Sequence, residues 1–172
     1  NLYFAQHYQA TLTAMMADWH KQFGATLPFL IVQIPNYGPT PTKPGESLWS
    51  DVREAQRKTA ESDPHAALVV TFDAGDPKNL HPTNKQEIGR RLSIAARHLV
   101  YGEALAPSGA LVSSATRNGD SVTVRFKDVT GALVVYSGQP NAFELCDAGT
   151  CRWATATLGS ESVTLANAGA AT

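Results

Sequence analysis

The stretch FDAGDPKNLHPTNK, residues 72–85, concentrates residue types that can move a proton. It contains the histidine His81 together with Asp73 and Asp76, and it follows an apolar run. A histidine in a polar loop can act as general base for a serine hydroxyl when another group fixes its tautomer. The same residues can also form a helix-entry turn in which Pro82 sets the backbone and His81 is solvated. Residue types alone leave both interpretations open.

A second polar stretch, Gln33-Ile34-Pro35-Asn36-Tyr37, follows another apolar run. In open α/β sheets, ligands bind beyond the carboxyl ends of the parallel strands. If both apolar runs are parallel strands, this stretch and the His81 loop reach the same edge of the sheet. Gln33 is therefore a candidate to line a substrate cleft, with a loop-bridging amide as its alternative role.

The two cysteines, Cys146 and Cys151, lie in the sequence CDAGTC with Gly149 between them. This spacing favours a small disulfide loop, which indicates an oxidising compartment and hence a periplasmic or secreted protein. Two free thiols in a cytosolic hairpin are the alternative. Two cysteines without a nearby histidine pair do not supply four zinc ligands, so we expect no metal and no cofactor.

The elements that must position these residues alternate over residues 1–106. Apolar residues at helical spacing predict a helix over 8–23. FLIVQI (29–34) and ALVVTF (67–72) are short continuous apolar runs, as in buried parallel strands. With a helix between the strands and another after them, the order α, β, α, β, α predicts an α/β fold with a mostly parallel sheet.

Start signals mark the two later helices. Ser47 is placed to cap a helix that carries Trp49 and Val52. Thr83 and Gln86 have capping-box spacing ahead of an apolar stripe.

Residues 107–172 change to a period-two pattern with Gly, Asn and Asp between the runs. This pattern predicts a second, small antiparallel β region. Its predicted strands are SVTVRF, ALVVY, AFELC, RWATATL and SVTLA.

Composition excludes several classes of function. The chain has 172 residues, 43% of them hydrophobic, and a formal net charge of −1, without a basic stripe for nucleic acid. No apolar run approaches the roughly 18 residues that span a bilayer. The first residues, Asn1-Leu2-Tyr3, do not form the basic start of a signal peptide.

The run FDAGDPKNLHPTNKQEIGRRLSIAARHLVYG resembles the C-terminal signature of the sialate O-acetylesterase family of SGNH-type carbohydrate esterases. Further blocks agree with that family in order across residues 1 to about 105: ADWHKQFG, LPFLIVQIPNY and LWSDVREAQ. The resemblance implies the C-terminal part of an SGNH-hydrolase (flavodoxin-like) fold, a three-layer parallel sheet, followed by a small antiparallel β region.

The resemblance also implies roles for individual residues. His81 would be the general base, and Asn1, seven residues before Tyr8 as in the family's Asn block, would be a side-chain oxyanion donor. Arg53 and Gln56, from the Arg-Glu-Ala-Gln block, would reach the sugar or brace the site through buried hydrogen bonds.

Two positions depart from the family pattern. The residue usually found as Asp before the Ile-His-Pro-like step is Asn79 here, so either Asp76 or a backbone carbonyl would support His81. The nucleophilic serine of the family lies in a Gly-x-Ser block far upstream of its Asn block, and no block stands in that place here, because Ser47 of Gly45-Glu46-Ser47 is placed at a helix start.

Two classes of function follow. The first is a carbohydrate O-acetylesterase (sialate 9-O-acetylesterase-like) that works by Ser-His(-Asp) acyl transfer on a sialic acid or xylan-type sugar. Its serine would lie on an N-terminal part of the same esterase, and the isolated chain would be inactive. The second is a non-catalytic carbohydrate-binding or interaction module that keeps the esterase fold.

Overall fold

A computed structural model describes residues 5–136, 138 and 142–167. The chain forms two compact units. The α/β unit contains Glu46–Ser108 and the segment that ends at Thr40, and the β unit contains Pro41–Gly45 and the segment from Gly109 onwards. Among the described residues, no helix is both long enough and apolar enough to cross a membrane.

The α/β unit has the predicted order of helices and strands. Its elements are α1 (Ala5–Phe23), β1 (Phe29–Val32), α2 (Leu48–Ser62), β2 (Ala66–Val69) and α3 (Lys85–Leu99), with one 3-10 turn over Phe72–Ala74. β1 and β2 pair in parallel, as predicted, with Phe29 opposite Ala66 and Val32 opposite Val69. Both strands are shorter than their apolar runs.

Side-chain caps fix where two helices begin. The Ser47 hydroxyl accepts a hydrogen bond from the Ser50 amide, so the predicted cap of α2 is confirmed. In α3 the cap is Asn84, whose side chain accepts from the Glu87 amide at 3.1 Å. The predicted capping box of Thr83 with Gln86 is therefore one residue too early.

The two faces of the parallel pair are covered by different helices. Ala67 and Val69 of β2 pack with Ala95 of α3, and Leu30, Leu92 and Leu99 complete this cluster. Side chains alternate along a strand, so Phe29 and Leu68 point to the opposite face. There the Phe29 ring contacts the Trp19 and His20 rings of α1 at centroid distances of 6.0 and 5.1 Å.

The β unit is one antiparallel sheet of five strands in the order β3-β4-β7-β6-β5. Its strands are β3 (Leu111–Asn118), β4 (Ser121–Lys127), β5 (Glu144–Asp147), β6 (Thr150–Leu158) and β7 (Ser162–Asn167). Among the described residues of this unit, Val163 and Leu165 of the central β7 are buried. The α/β class followed by an antiparallel β region is thus confirmed. The run ALVVY (132–136) forms no strand, whereas β3 was not predicted.

Turn chemistry sets the β5–β6 hairpin. Its two-residue turn, Ala148-Gly149, has φ angles of 45° and 83°, which suit a type I′ connection. Cys146 and Cys151 lie opposite each other and form a disulfide across the hairpin. In the same unit, the Trp153 indole donates a hydrogen bond to the carbonyl of Thr42 at 3.4 Å.

Candidate active site

Two loops meet at the carboxyl edge of the parallel pair. The Gly38 amide, in the loop after β1, donates to the Pro77 carbonyl at 3.1 Å. Gly75, after β2, packs so closely on Asn36 that a Cβ at this position would lie 2.6 Å from the Asn36 nitrogen. Backbone contact therefore holds the predicted polar stretches together.

Gln33 bridges this edge to α2. Its backbone amide donates to the Val69 carbonyl at 2.9 Å, and its carbonyl accepts from the buried Thr71 hydroxyl. Its side-chain amide donates to the Arg53 carbonyl at 3.3 Å. Gln33 is buried, and its side-chain amide joins the end of β1 to α2.

Gln56 closes the outer side of the end of β1. Its side-chain oxygen Oε1 accepts a hydrogen bond from the Ile34 amide at 2.9 Å, and its side-chain nitrogen Nε2 donates to the Val32 carbonyl at 3.4 Å. Nε2 also reaches the Tyr8 hydroxyl at 3.4 Å. The buried amide thus replaces the hydrogen bonds that a neighbouring strand would make.

Arg53 braces the loop beyond Gln33. One guanidinium nitrogen donates to the Pro35 carbonyl at 3.4 Å and another to the Ser50 hydroxyl at 3.1 Å. The guanidinium also lies 5.1 Å from the centre of the Phe72 ring, a cation–π distance. Partial burial lowers the Arg53 pKa.

The start of the His81 loop is tied to α3 through Arg91. Arg91 forms a two-pronged ion pair with Asp73, with both N–O distances 2.6 Å, and donates to the Val70 carbonyl at 2.8 Å. It also pairs with Glu87 at 2.8 Å. Hydrogen bonds from Arg91 lower the pKa of Asp73, and those from Arg90 and Arg91 lower the pKa of Glu87 to about 2.

Short side-chain to backbone bonds shape the rest of the loop. The Asp76 carboxylate accepts from the Lys78 amide at 2.7 Å, and the Asn79 side-chain oxygen accepts from the His81 amide at 2.9 Å. The Asn79 amide in turn donates to the Asp76 carbonyl at 3.2 Å. Pro82 is buried and anchors the chain directly after His81. The Asn79 side chain therefore makes the hydrogen bond that stabilises this turn, although it carries no charge.

His81 itself is exposed, and within the described chain no hydrogen bond or ion pair engages its ring. Asp76 and His81 lie in one turn, yet no ion pair within 4.0 Å joins these two described residues. Asn1, the predicted oxyanion donor, lies outside the described residues. The structure thus presents an accessible imidazole on a loop fixed from both sides.

Three residues important for this arrangement were missed at the sequence level. Thr71 stands as a polar residue inside an apolar run, and Arg91 has i, i+4 spacing to Glu87, so both left a signal. Gly75 is needed because of a contact with Asn36, which lies far away in sequence.

One group of potential metal ligands occurs in the described residues, formed by Glu144, Cys146 and Cys151. Both sulfurs belong to the disulfide, so in this state the group offers no thiolate to a metal.

No family model matches the sequence, and a comparison with curated proteins gives no match. Among solved structures, the chain is similar to a novel carbohydrate acetylesterase from Xanthomonas citri, with 34% sequence identity and a TM-score of 0.82. The match covers 94% of this chain and 38% of the acetylesterase chain. The chain therefore spans well under half the length of that enzyme.

Proposed function

We propose that this chain is the histidine-bearing part of a carbohydrate O-acetylesterase, with His81 as the general base. The observation that carries the proposal is the accessible His81 ring on a braced loop at the carboxyl edge of the parallel pair. A general base must be held in place while its ring stays open to the hydroxyl that it deprotonates. The similarity to a carbohydrate acetylesterase supports the same reaction class.

The proposed reaction is serine acyl transfer. His81 accepts the serine proton while the serine oxygen bonds to the acetyl carbon, and it then protonates the departing sugar oxygen. In the second half, His81 takes a proton from water as the water oxygen bonds to the acetyl carbon, and it returns that proton to the serine oxygen as the bond to serine breaks and acetate leaves. The serine would lie in an N-terminal part of the same esterase, on the SGNH-type fold. The serines of the two Gly-x-Ser triplets in this sequence have other positions, because Ser47 caps α2 and Ser121 begins β4.

The support for the imidazole is proposed to be a backbone carbonyl rather than Asp76. The Asp76 carboxylate already accepts the Lys78 amide, and Asp73 is paired with Arg91. A carbonyl fixes the tautomer but stabilises an imidazolium less than a carboxylate does. Asp76 stays the second candidate, since it is an exposed carboxylate in the same loop as His81.

Asn1 is proposed to donate one hydrogen bond to the oxyanion of the tetrahedral intermediate. Loss of a donor of this kind typically lowers kcat by about 10²–10³. Gln33, Arg53 and Gln56 are proposed to position the loops, because their polar groups are used by backbone and side-chain partners in the α/β unit.

The proposed substrate is an O-acetylated sialic acid or xylan-type sugar, and the proposed location is periplasmic or secreted. The disulfide between Cys146 and Cys151 supports an oxidising compartment.

The test is acetyl-ester hydrolysis by the chain alone and together with a serine-bearing N-terminal part. We expect turnover only from the combination, and a loss of at least about 10³-fold in kcat for His81→Ala. His98→Ala is the matched control, because His98 is an exposed histidine of α3 outside the loop. Equal activity of the His81→Ala and His98→Ala combinations would contradict the proposal.

A non-catalytic carbohydrate-binding module is the second candidate. The neutral Asn79 favours it, and so does the position of Ser47, which caps α2 and does not serve as a nucleophile. Calorimetric titration of the isolated chain with an acetylated sugar separates the two functions: binding that survives His81→Ala, without turnover in any combination, would support the module.

A further inference from the structure

An apolar face of the α/β unit is left open by the described residues. Met15, Trp19 and Phe23 follow one another at four-residue spacing on α1 and are 40%, 46% and 70% exposed. The Trp19 ring contacts the rings of Phe23 and Phe29 at centroid distances of 5.9 and 6.0 Å. We call these four residues the α1–β1 patch. Contiguous exposed apolar side chains of this kind mark interaction sites.

One edge of β1 lies beside this patch and is also open. The Phe29 and Gln33 amides donate towards β2, so the alternation of a parallel ladder turns the backbone groups of Leu30 and Val32 the other way. In the described chain the sheet of β1 contains only β2, and the one group that meets this edge is the Gln56 amide at the end of the strand. Parallel sheets almost always have both faces covered, and an unpaired strand edge is a template for pairing with another strand.

The chain path indicates which element belongs at this edge. A crossover between parallel strands is right-handed, which fixes the face on which α2 passes from β1 to β2. α1 packs beside α2, and its Trp19 contacts Phe29 on the face opposite the Leu30 and α3 cluster. A helix on that face leading into β1 occupies the place of a crossover from a parallel strand at the open edge.

We propose that the α1–β1 patch and the open edge of β1 bind a parallel β-strand, apolar on both faces, from the N-terminal part of the same esterase. The identity of this occupant rests on the proposed function. It is supported by the Xanthomonas citri acetylesterase, of which more than half has no counterpart in this chain. A second copy of this chain is the competing occupant.

The first measurement is amide hydrogen exchange of residues 29–34 in the isolated chain, together with sedimentation. We expect a monomer in which the Leu30 and Val32 amides exchange at least tenfold faster than those of Phe29 and Gln33. Protection of Leu30 and Val32 in the monomer overturns the proposal. Protection that appears only as the chain dimerises assigns the edge to a second copy and also overturns it.

The second measurement is co-expression with the part of the Xanthomonas citri acetylesterase that has no counterpart here, as a separate polypeptide. We expect co-purification and at least tenfold slower exchange of the Leu30 and Val32 amides in the complex. Phe23→Glu should weaken the complex at least tenfold. Tyr101→Glu, at a residue of the same unit that is 75% exposed and outside the patch, should leave it unchanged.

The outcomes separate this proposal from the proposed function. A complex that protects residues 29–34 but hydrolyses no acetyl ester keeps the docking surface and contradicts the function. A hydrolytic complex without that protection, or with equal effects of Phe23→Glu and Tyr101→Glu, overturns the docking surface alone. If the co-expressed acetylesterase part is soluble but does not bind this chain, the proposed occupant of the β1 edge is wrong.

Discussion

The two units of this chain satisfy their backbone hydrogen bonds in different ways. In the β unit, antiparallel strands are joined mostly by short turns, so most pairs form between residues close in sequence, as in β3 with β4 and β5 with β6. In the α/β unit, a whole helix separates the two parallel strands, and their ends depend on side chains from distant positions, such as Gln56 and Arg91. Local pairing gives a self-contained sheet, whereas the parallel pair needs side-chain braces and leaves an edge open.

Among the tests of this contrast, we expect the largest effect from Gly75→Ala. Any side chain at residue 75 meets the Asn36 backbone, which is not the movable end of a side chain, so the two site loops must separate. We expect a loss of about 3 kcal/mol in the free energy of unfolding of the α/β unit, from overpacking. Urea unfolding followed by amide exchange in each unit measures it.

The control is Gly89→Ala in α3, where an added Cβ meets nothing within 4 Å. Alanine is the better helix former there, so this variant should stabilise the α/β unit by about 0.5–1 kcal/mol. Equal destabilisation by both substitutions would show that the close approach of Gly75 to Asn36 is unimportant.

Reduction of the Cys146–Cys151 disulfide probes the other unit. The bridge closes a loop across a sequence separation of 5, and a loop of this size stabilises by about 2 kcal/mol through the unfolded chain. We expect the β unit to lose this amount, while amide exchange in α3 is unchanged. The Cys146→Ser, Cys151→Ser double variant should behave like the reduced protein, and an equal loss in both units would contradict this prediction.

Acid should give the smallest effect, and again only in one unit. The folded-state pKa values of Asp73 and Glu87 lie below their ordinary values because of hydrogen bonds from Arg91 and Arg90. Depressed carboxyl pKa values contribute stability above about pH 4, which is lost as pH falls towards about 2.

All ion pairs among the described residues belong to the α/β unit, so acid should lower the Tm of that unit more than that of the β unit. Arg91→Gln, which removes the partner of Asp73, should flatten this pH dependence. A thermal melt at pH 7 and at pH 3 for both proteins checks the effect, and parallel slopes would contradict the assignment to Arg91.

Sequence patterns predicted the elements that have a clear signal within a short stretch of sequence. The continuous apolar runs gave β1 and β2, and Ser47 gave the start of α2. The same local signal was misleading for ALVVY, whose apolar residues form no strand. It was absent for β3, where the polar pair Ser113-Ser114 interrupts the alternation of apolar and polar residues.

The candidate site was predictable only in outline. The position of the His81 loop after a parallel strand followed from the alternating pattern, and the loop does lie between β2 and α3. The pairing of Asp73 with Arg91 crosses 18 residues, and that of Ile34 with Gln56 crosses 22. Contacts of that range depend on how the elements pack, which no short sequence window contains.

The hydrogen bond from Trp153 to Thr42 has a consequence for anyone who divides this chain. Pro41–Gly45, between β1 and α2, belongs to the β unit, so that unit consists of two separate stretches of sequence. A single cut after Ser108 would remove the partner of Thr42 and leave its short segment attached to the wrong fragment. Transplanting the β unit intact therefore requires three junctions, at both ends of Pro41–Gly45 as well as before Gly109.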